Sequence, residues 1–189
     1  MKKKLPWLLI YLRFLLTLPA ILFGYYGLTG APYIALLAIA ALSDVYDGVL
    51  ARKFNVETAA IRQWDSIADT VFFMGVFVGM CVAFPALVRQ YSLGIYGILG
   101  LELARYLFDF GKFQRGASYH ALSAKVFGVS LLAATISVMG FGVAAPLLPV
   151  AMAIGILSEL EGLIISIILK EWTYNVKHIG RAIELRNAG

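Results

Sequence analysis

The chain has 189 residues, of which 61% are hydrophobic and 14% are charged, with a formal net charge of +5. A soluble domain carries about 25% charged residues, so this composition excludes an ordinary soluble protein and favours a helical membrane protein. The positive charges fall at the polar ends of apolar stretches, where membrane topology and anionic lipids explain them without nucleic acid as a partner.

Apolar stretches separated by glycine and proline predict an all-α, polytopic membrane fold of about six transmembrane helices, with a short interfacial segment at the amino terminus. The expected spans are residues 6–26, 33–50, 64–84, 91–110, 121–141 and 147–169. No repeat or linker interrupts the series, so residues 1–189 are expected to form a single membrane domain.

Basic residues indicate the orientation. With six spans, nearly all lysines and arginines of the connections and both termini fall on one side, and the opposite side carries Arg89. Because short cytoplasmic loops are enriched in Lys and Arg, we expect both termini and the charged loops in the cytoplasm. The expected location is the bacterial inner (plasma) membrane, with membrane lipids as neighbours.

Two pairs of aspartates mark the cytoplasmic ends of the second and third spans. Asp44 and Asp47 lie three residues apart, and Asp65 and Asp69 lie four apart. Each spacing places both side chains on one helix face. Because a short connection joins the two spans, they can be antiparallel neighbours, and the four carboxylates can then share one site.

Four carboxylates in one place repel each other and need a positive partner. Mg²⁺ or Mn²⁺ prefers such oxygen ligands and often shares them with phosphates, so two ions would suit four carboxylates and a diphosphate. Gly48 allows close approach of a ligand, Ala51 is small, and Arg52 can clamp phosphate oxygens. A single aspartate here could instead be a helix cap, but acidic residues within membranes are expensive and usually functional.

The stretch DVYDGVLAR, residues 44–52, followed by Asp65 and Asp69, resembles the signature of the CDP-alcohol phosphatidyltransferases (class I). That signature reads D-x2-D-G-x2-A-R-x8-G-x3-D-x3-D, and every position matches except its second glycine, which is Ile61 here. The stretch RFLLTLP, residues 13–19, loosely resembles the opening pattern of the family.

The resemblance implies an enzyme of phospholipid biosynthesis. Such a transferase moves the phosphatidyl group of a CDP-linked lipid, usually CDP-diacylglycerol, to a small alcohol and releases CMP. It also implies two bound Mg²⁺ or Mn²⁺ ions, a cytoplasmic active site and a homodimer. The alternatives are an intramembrane cation transporter that uses the aspartates, or a catalytically silent member of the family.

Residue roles follow from the matched positions. By resemblance, the metal ligands are Asp44, Asp47, Asp65 and Asp69, and Asp69 is also the general base. The expected nucleotide contacts are Gly48, Ala51 and Arg52. Ile61 replaces a small residue that lies beside the nucleotide in the family.

A second polar cluster surrounds the connection between the fourth and fifth spans. Its residues predict a pocket for an anionic acceptor such as glycerol 3-phosphate, with inositol phosphate, serine or another small alcohol left open. The expected acceptor or phosphate contacts are Arg105, Lys112, Arg115, His120 and Lys125. The other interpretation of these charges is a basic loop beside lipid headgroups.

Overall fold

The computed structural model describes residues 5–56, 58–116, 119 and 121–188, apart from the side chains of Ala59 and Ala188. This part of the chain is helical and has no β-strand. Its helices are α1 (Leu5–Tyr25), α2 (Ala31–Lys53), α3 (Ala59–Ala83), α4 (Pro85–Gln90), α5 (Ser92–Phe113), α6 (Leu122–Thr135), α7 (Leu147–Ile168) and α8 (Ile179–Ala188). A π-helical segment, Ile136–Gly140, continues α6. The predicted all-α fold is confirmed.

Five helical segments in this part of the chain are long and apolar enough to cross a bilayer: α1, α2, α3, α7 and the continuous segment Leu122–Gly140. The remaining predicted span corresponds to α5, whose 22 residues include four charged side chains: Glu102, Arg105, Asp109 and Lys112. The expected count of about six is therefore roughly correct, and α5 is the one predicted span that is too polar to belong to these five. The predicted interfacial segment, residues 1–4, lies outside the described residues.

The start of α3 lies at Ala59, whereas the apolar pattern predicted residue 64. Thr58 caps the helix, because its Oγ1 accepts a hydrogen bond from the Ile61 N–H at 3.2 Å. Such a cap satisfies a backbone donor at the helix start and allows polar residues to join the first turns. As a result, Asp65 lies inside the helix and not at its first residue. The short helices α4 and α8 were not predicted.

The first compact unit contains α1, α2 and α3 with residues 138–143, and α1 packs against both α2 and α3. Two glycines of α3 allow the close approach of α1. A Cβ atom at Gly75 would lie 2.5 Å from Thr17 Cγ2, and one at Gly79 would lie 2.5 Å from the Ala20 carbonyl oxygen. Small residues of this kind are typical of close contacts between membrane helices. Arg13 lies one turn before Thr17 on α1. The contact at Gly75 therefore fixes which part of α3 lies beside Arg13.

The second compact unit contains α5, α6 with the first two residues of the π-helical segment, α7 and α8. Helix α7 is its centre and packs against each of the other three helices. One hydrophobic cluster lies near the carboxyl end of α7 and contains Tyr119, Ala121, Ile165, Leu169, Val176 and Ala182. The expectation of one domain over residues 1–189 remains a prediction.

Candidate functional site

Four aspartates of α2 and α3 surround the guanidinium group of Arg13 in α1. Arg13 Nη1 donates hydrogen bonds to Asp44 Oδ1, at 3.0 Å, and to Asp69 Oδ1. Its Nη2 donates to Asp65 Oδ1, at 2.5 Å, and to Asp47 Oδ2. Each terminal nitrogen thus pairs one aspartate of α2 with one of α3, and the two helix faces predicted from the spacing do meet.

The chemistry of this set of oxygens suits a hard divalent cation. Asp44, Asp47 and Asp65 each offer a carboxylate oxygen, and these three oxygens lie within 4.8 Å of one another. Four carboxyl groups surround one guanidinium, so acidic groups outnumber the cation by three in the cluster. Oxygen donors with excess negative charge are the environment that Mg²⁺ and Mn²⁺ prefer. The residues therefore fit a bound divalent metal ion.

The cluster has a sheltered side and an open side. The side chains of Asp47 and Asp65 are 4% and 15% exposed, and that of Arg13 is 1% exposed. In contrast, Asp44 and Asp69 are 47% and 42% exposed. A ligand from outside therefore reaches the cluster at Asp44 and Asp69 first.

The position of Arg13 at this site was not predicted from the sequence. Arg13 was noted only as the first residue of a stretch that resembles the opening pattern of the family. A signal for it exists in the sequence. Arg13 is the only charged residue of α1. A lone cation in an apolar spanning helix is costly and needs an acidic partner, which here can come only from another helix.

The residues expected at the nucleotide lie one turn further along α2. Ala51 is buried, whereas the side chain of Arg52 is exposed. The Arg52 guanidinium lies beside Gly48: a Cβ atom at Gly48 would be 3.7 Å from Arg52 Nη1. Gly48 thus directly follows Asp47, Ala51 lies one turn after it, and the exposed Arg52 is at the surface next to them.

Ile61, which stands at the second glycine of the signature, is a core residue. It is 6% exposed and forms a hydrophobic cluster with Ile10 of α1 and Ala68 of α3. The partly buried side chains of Trp7 and Phe14 pack against this cluster. The larger side chain is therefore accommodated by apolar packing between α1 and α3.

Two of the five residues expected at an acceptor already have partners in α7. Arg105 Nε lies 2.8 Å from Glu159 Oε2, and Lys112 Nζ donates to the carbonyl oxygens of Ser166 and Ile167 at 2.9 and 3.1 Å. A lysine in this position satisfies carbonyl groups that the end of a helix leaves unpaired.

Two of the other three lie in the part of the chain that the structure describes. The guanidinium carbon of Arg115 lies 5.3 Å from the ring centre of Trp172 in a cation–π contact. Lys125 is exposed on α6. His120 lies outside the described residues. Arg105 and Lys112, seven residues apart, share one face of α5. The expected grouping of all five residues at an acceptor remains a prediction.

A buried polar group between α5 and α7 was also missed. The Tyr119 hydroxyl lies 3.3 Å from Asp109 Oδ1, to which it donates, and 3.0 Å from Ser166 Oγ. Burial raises the pKa of Tyr119 to about 12, so its hydroxyl keeps its proton at neutral pH. The signal was the spacing of Arg105, Asp109 and Lys112, which places three charged side chains on one face of α5.

Comparison with protein families matches residues 3–172 to the CDP-alcohol phosphatidyltransferases. The match covers most of the chain and includes all four aspartates and Arg13, so the protein belongs to the CDP-alcohol phosphatidyltransferase family. It is thus a member of a family of metal-dependent membrane transferases that act on CDP-alcohols. Neither a curated protein nor a solved structure matched the chain.

Proposed function

We propose that the protein transfers the phosphatidyl group of CDP-diacylglycerol to a small alcohol and releases CMP, in a reaction of phospholipid biosynthesis that needs Mg²⁺ or Mn²⁺. The observation that carries the proposal is the meeting of four aspartates from α2 and α3 around one centre. Phosphoryl-type transfer depends mainly on positioning and on neutralising charge, and this cluster is suited to both.

Asp44, Asp47, Asp65 and Asp69 would hold two divalent ions. When bound, the ions supply positive charge to the diphosphate of the CDP-linked lipid and to the oxygens between which the phosphorus moves. The oxygens of Asp44, Asp47 and Asp65 lie within 4.8 Å of one another, which supports these three as the principal ligands.

Asp69 would act as the general base. Its carboxylate takes the proton of the acceptor hydroxyl while the acceptor oxygen forms a bond to the phosphatidyl phosphorus. The bond from that phosphorus to the oxygen of CMP breaks, and CMP leaves with the electron pair. Asp69 is 42% exposed, so a hydroxyl group can come within hydrogen-bond reach of it, as a general base requires.

Gly48, Ala51 and Arg52 would receive the cytidine nucleotide. The absence of a side chain at Gly48 leaves space beside the Arg52 guanidinium, and arginine can bind phosphate oxygens through two parallel hydrogen bonds. The aspartates and this surface adjoin on α2, so the diphosphate and the nucleotide would bind next to each other.

The first acceptor to test is glycerol 3-phosphate, because basic residues are concentrated in and around the connection between α5 and α6. The expected contacts remain Arg105, Lys112, Arg115, His120 and Lys125. An anionic acceptor would have to compete with Glu159 for Arg105, since these two side chains are paired at 2.8 Å. Inositol phosphate and serine therefore belong in the same comparison.

Purified protein incubated with CDP-diacylglycerol, Mg²⁺ and each acceptor in turn tests the proposal. We expect CMP and a new phospholipid, detected by chromatography and mass spectrometry, with at least one acceptor. Asp69→Asn should slow formation of both products by at least about 100-fold. Glu184→Gln, which removes an exposed acid from α8, is the matched control and should retain them. Absence of CMP with every acceptor, or unchanged release by Asp69→Asn, would contradict the proposal.

We further propose a homodimer in the bacterial inner membrane with the aspartate cluster on the cytoplasmic side. Single cysteines are placed in a Cys81→Ala background. Leu28→Cys, in the connection between α1 and α2, should react with an impermeant maleimide in intact cells. Lys53→Cys, at the end of α2 that carries the cluster, should react only after permeabilisation. Light scattering of the detergent-solubilised protein should give twice the mass of one chain. The reverse labelling pattern would contradict the cytoplasmic position of the cluster. The mass of a single chain would contradict the homodimer.

A further inference from the structure

The guanidinium of Arg13 uses the carboxylates that a divalent ion would need. All four aspartates accept a hydrogen bond from it, and none of these bonds comes from Nε. Arg13 Nε is buried and has no hydrogen-bond partner among the described residues. Both terminal nitrogens of Arg13 thus donate to aspartates, and its guanidinium is the cation at the centre of the cluster.

A guanidinium and divalent ions cannot both have close contact with all these oxygens. The charges repel strongly at short distance in a partly buried site. Arginine cannot relieve this repulsion by losing its proton, because it stays charged at any physiological pH. Asp47 and Asp65, which are the more sheltered aspartates, can therefore bind a metal ion fully only if the guanidinium moves.

We propose that Arg13 is an internal counter-cation, which holds the four aspartates together in the metal-free protein and is displaced from them when divalent ions bind. This inference rests on the metal site of the proposed function. Two consequences follow from it. The metal-free protein keeps its site assembled, and the wild-type chain binds metal more weakly than a chain that lacks the competing charge.

Mn²⁺ binding to the chelator-stripped protein tests this inference without any measurement of catalysis. The free ion is followed by electron paramagnetic resonance, and calorimetry gives the dissociation constant. We expect Arg13→Gln to bind Mn²⁺ at least about tenfold more tightly than the wild type, because a competing charge is removed from the ligands. Without metal, Arg13→Gln should unfold at a lower temperature than the metal-free wild type. Mn²⁺ should raise the Tm of Arg13→Gln more than it raises the Tm of the wild type.

Lys53→Gln is the matched control, because it removes one exposed positive charge from the end of α2, the helix that carries Asp44 and Asp47. It should leave Mn²⁺ affinity within about twofold of the wild type, as expected of a screened surface charge. Asp47→Asn should weaken Mn²⁺ binding, which checks that the ions measured occupy the cluster.

If Arg13→Gln does not fold, the wild type itself gives the answer. In protein labelled with ¹⁵N-arginine, Mg²⁺ should change the side-chain signals of Arg13, which are assigned with Arg13→Lys. Signals that stay constant through saturation would overturn the inference, as would an Arg13→Gln protein that binds Mn²⁺ no more tightly than the wild type. Failure of the wild type to bind Mn²⁺ at all would instead remove the metal site of the proposed function, and this inference with it.

Discussion

Arg105 of α5 and Glu159 of α7 form an ion pair in which the nitrogen and oxygen lie 2.8 Å apart and the side chains are 19% and 11% exposed. Gly162, one turn beyond Glu159, makes room for it, because a Cβ atom there would lie 2.9 Å from Arg105 Cδ. The pair compensates two charges between the packed helices α5 and α7 that would otherwise be costly in a membrane. It gives α5, which carries four charged side chains, a fixed partner in α7.

Glu159→Gln should therefore destabilise the protein. The change leaves the Arg105 charge without its partner, which typically costs about 3 kcal/mol for a largely buried pair. Unfolding in mixed detergent micelles measures the loss. Glu161→Gln is the control, since residues two apart lie on different helix faces, and its effect should stay below about 1 kcal/mol. Equal effects of the two changes would contradict a stabilising role for the pair.

Gly79→Ala should loosen the contact between α1 and α3. Its new methyl group would lie 2.5 Å from the Ala20 carbonyl oxygen and 3.0 Å from the Tyr33 hydroxyl, so the helices must separate. We expect a loss of about 1–3 kcal/mol in the free energy of unfolding, together with lower activity because α1 carries Arg13. Gly97→Ala, with no atom within 4 Å of its new methyl group, should be neutral or slightly stabilising.

Asp47→Asn and Asp69→Asn should differ in their effect on metal binding. Because Asp47 is a proposed ligand on the sheltered side of the cluster, its removal should weaken Mn²⁺ binding by about 10- to 100-fold and lower kcat/KM with it. Because Asp69 is the proposed general base, its removal should lower kcat by about 100- to 10,000-fold, with a smaller change in Mn²⁺ affinity. Calorimetry and CMP release measure the two effects. Identical profiles for the two variants would assign Asp69 to metal binding alone.

Restoring the glycine of the family signature should harm this protein. Ile61→Gly removes a buried side chain from the cluster with Ile10 and Ala68 and also places glycine inside α3. The combined loss should be about 4 kcal/mol of unfolding free energy, against about 1 kcal/mol for Ile61→Val. Thermal unfolding measures both. A glycine variant as stable as the wild type would show that Ile61 contributes little to the packing.

The sequence was sufficient to predict the long helices and the shared helix faces of the two aspartate pairs, because both depend on local apolar periodicity and spacing. Partners on other helices could not be predicted in the same way. The position of Arg13 among the aspartates depends on how closely α1 approaches α3 at Gly75 and Gly79, and no local pattern shows that approach. Likewise, Glu159 rather than Glu102 pairs with Arg105, since tertiary packing overrides a possible contact within α5.

The link from one arginine to two later helices has a consequence for how the nascent chain assembles. When α1 first enters the bilayer, Arg13 has no acid within its own helix to pair with, and the cost of its charge is unrelieved. Compensation begins when Asp44 and Asp47 arrive and is complete only after Asp69 has left the ribosome. The first three helices should therefore remain together at the insertion machinery and enter the lipid as a group.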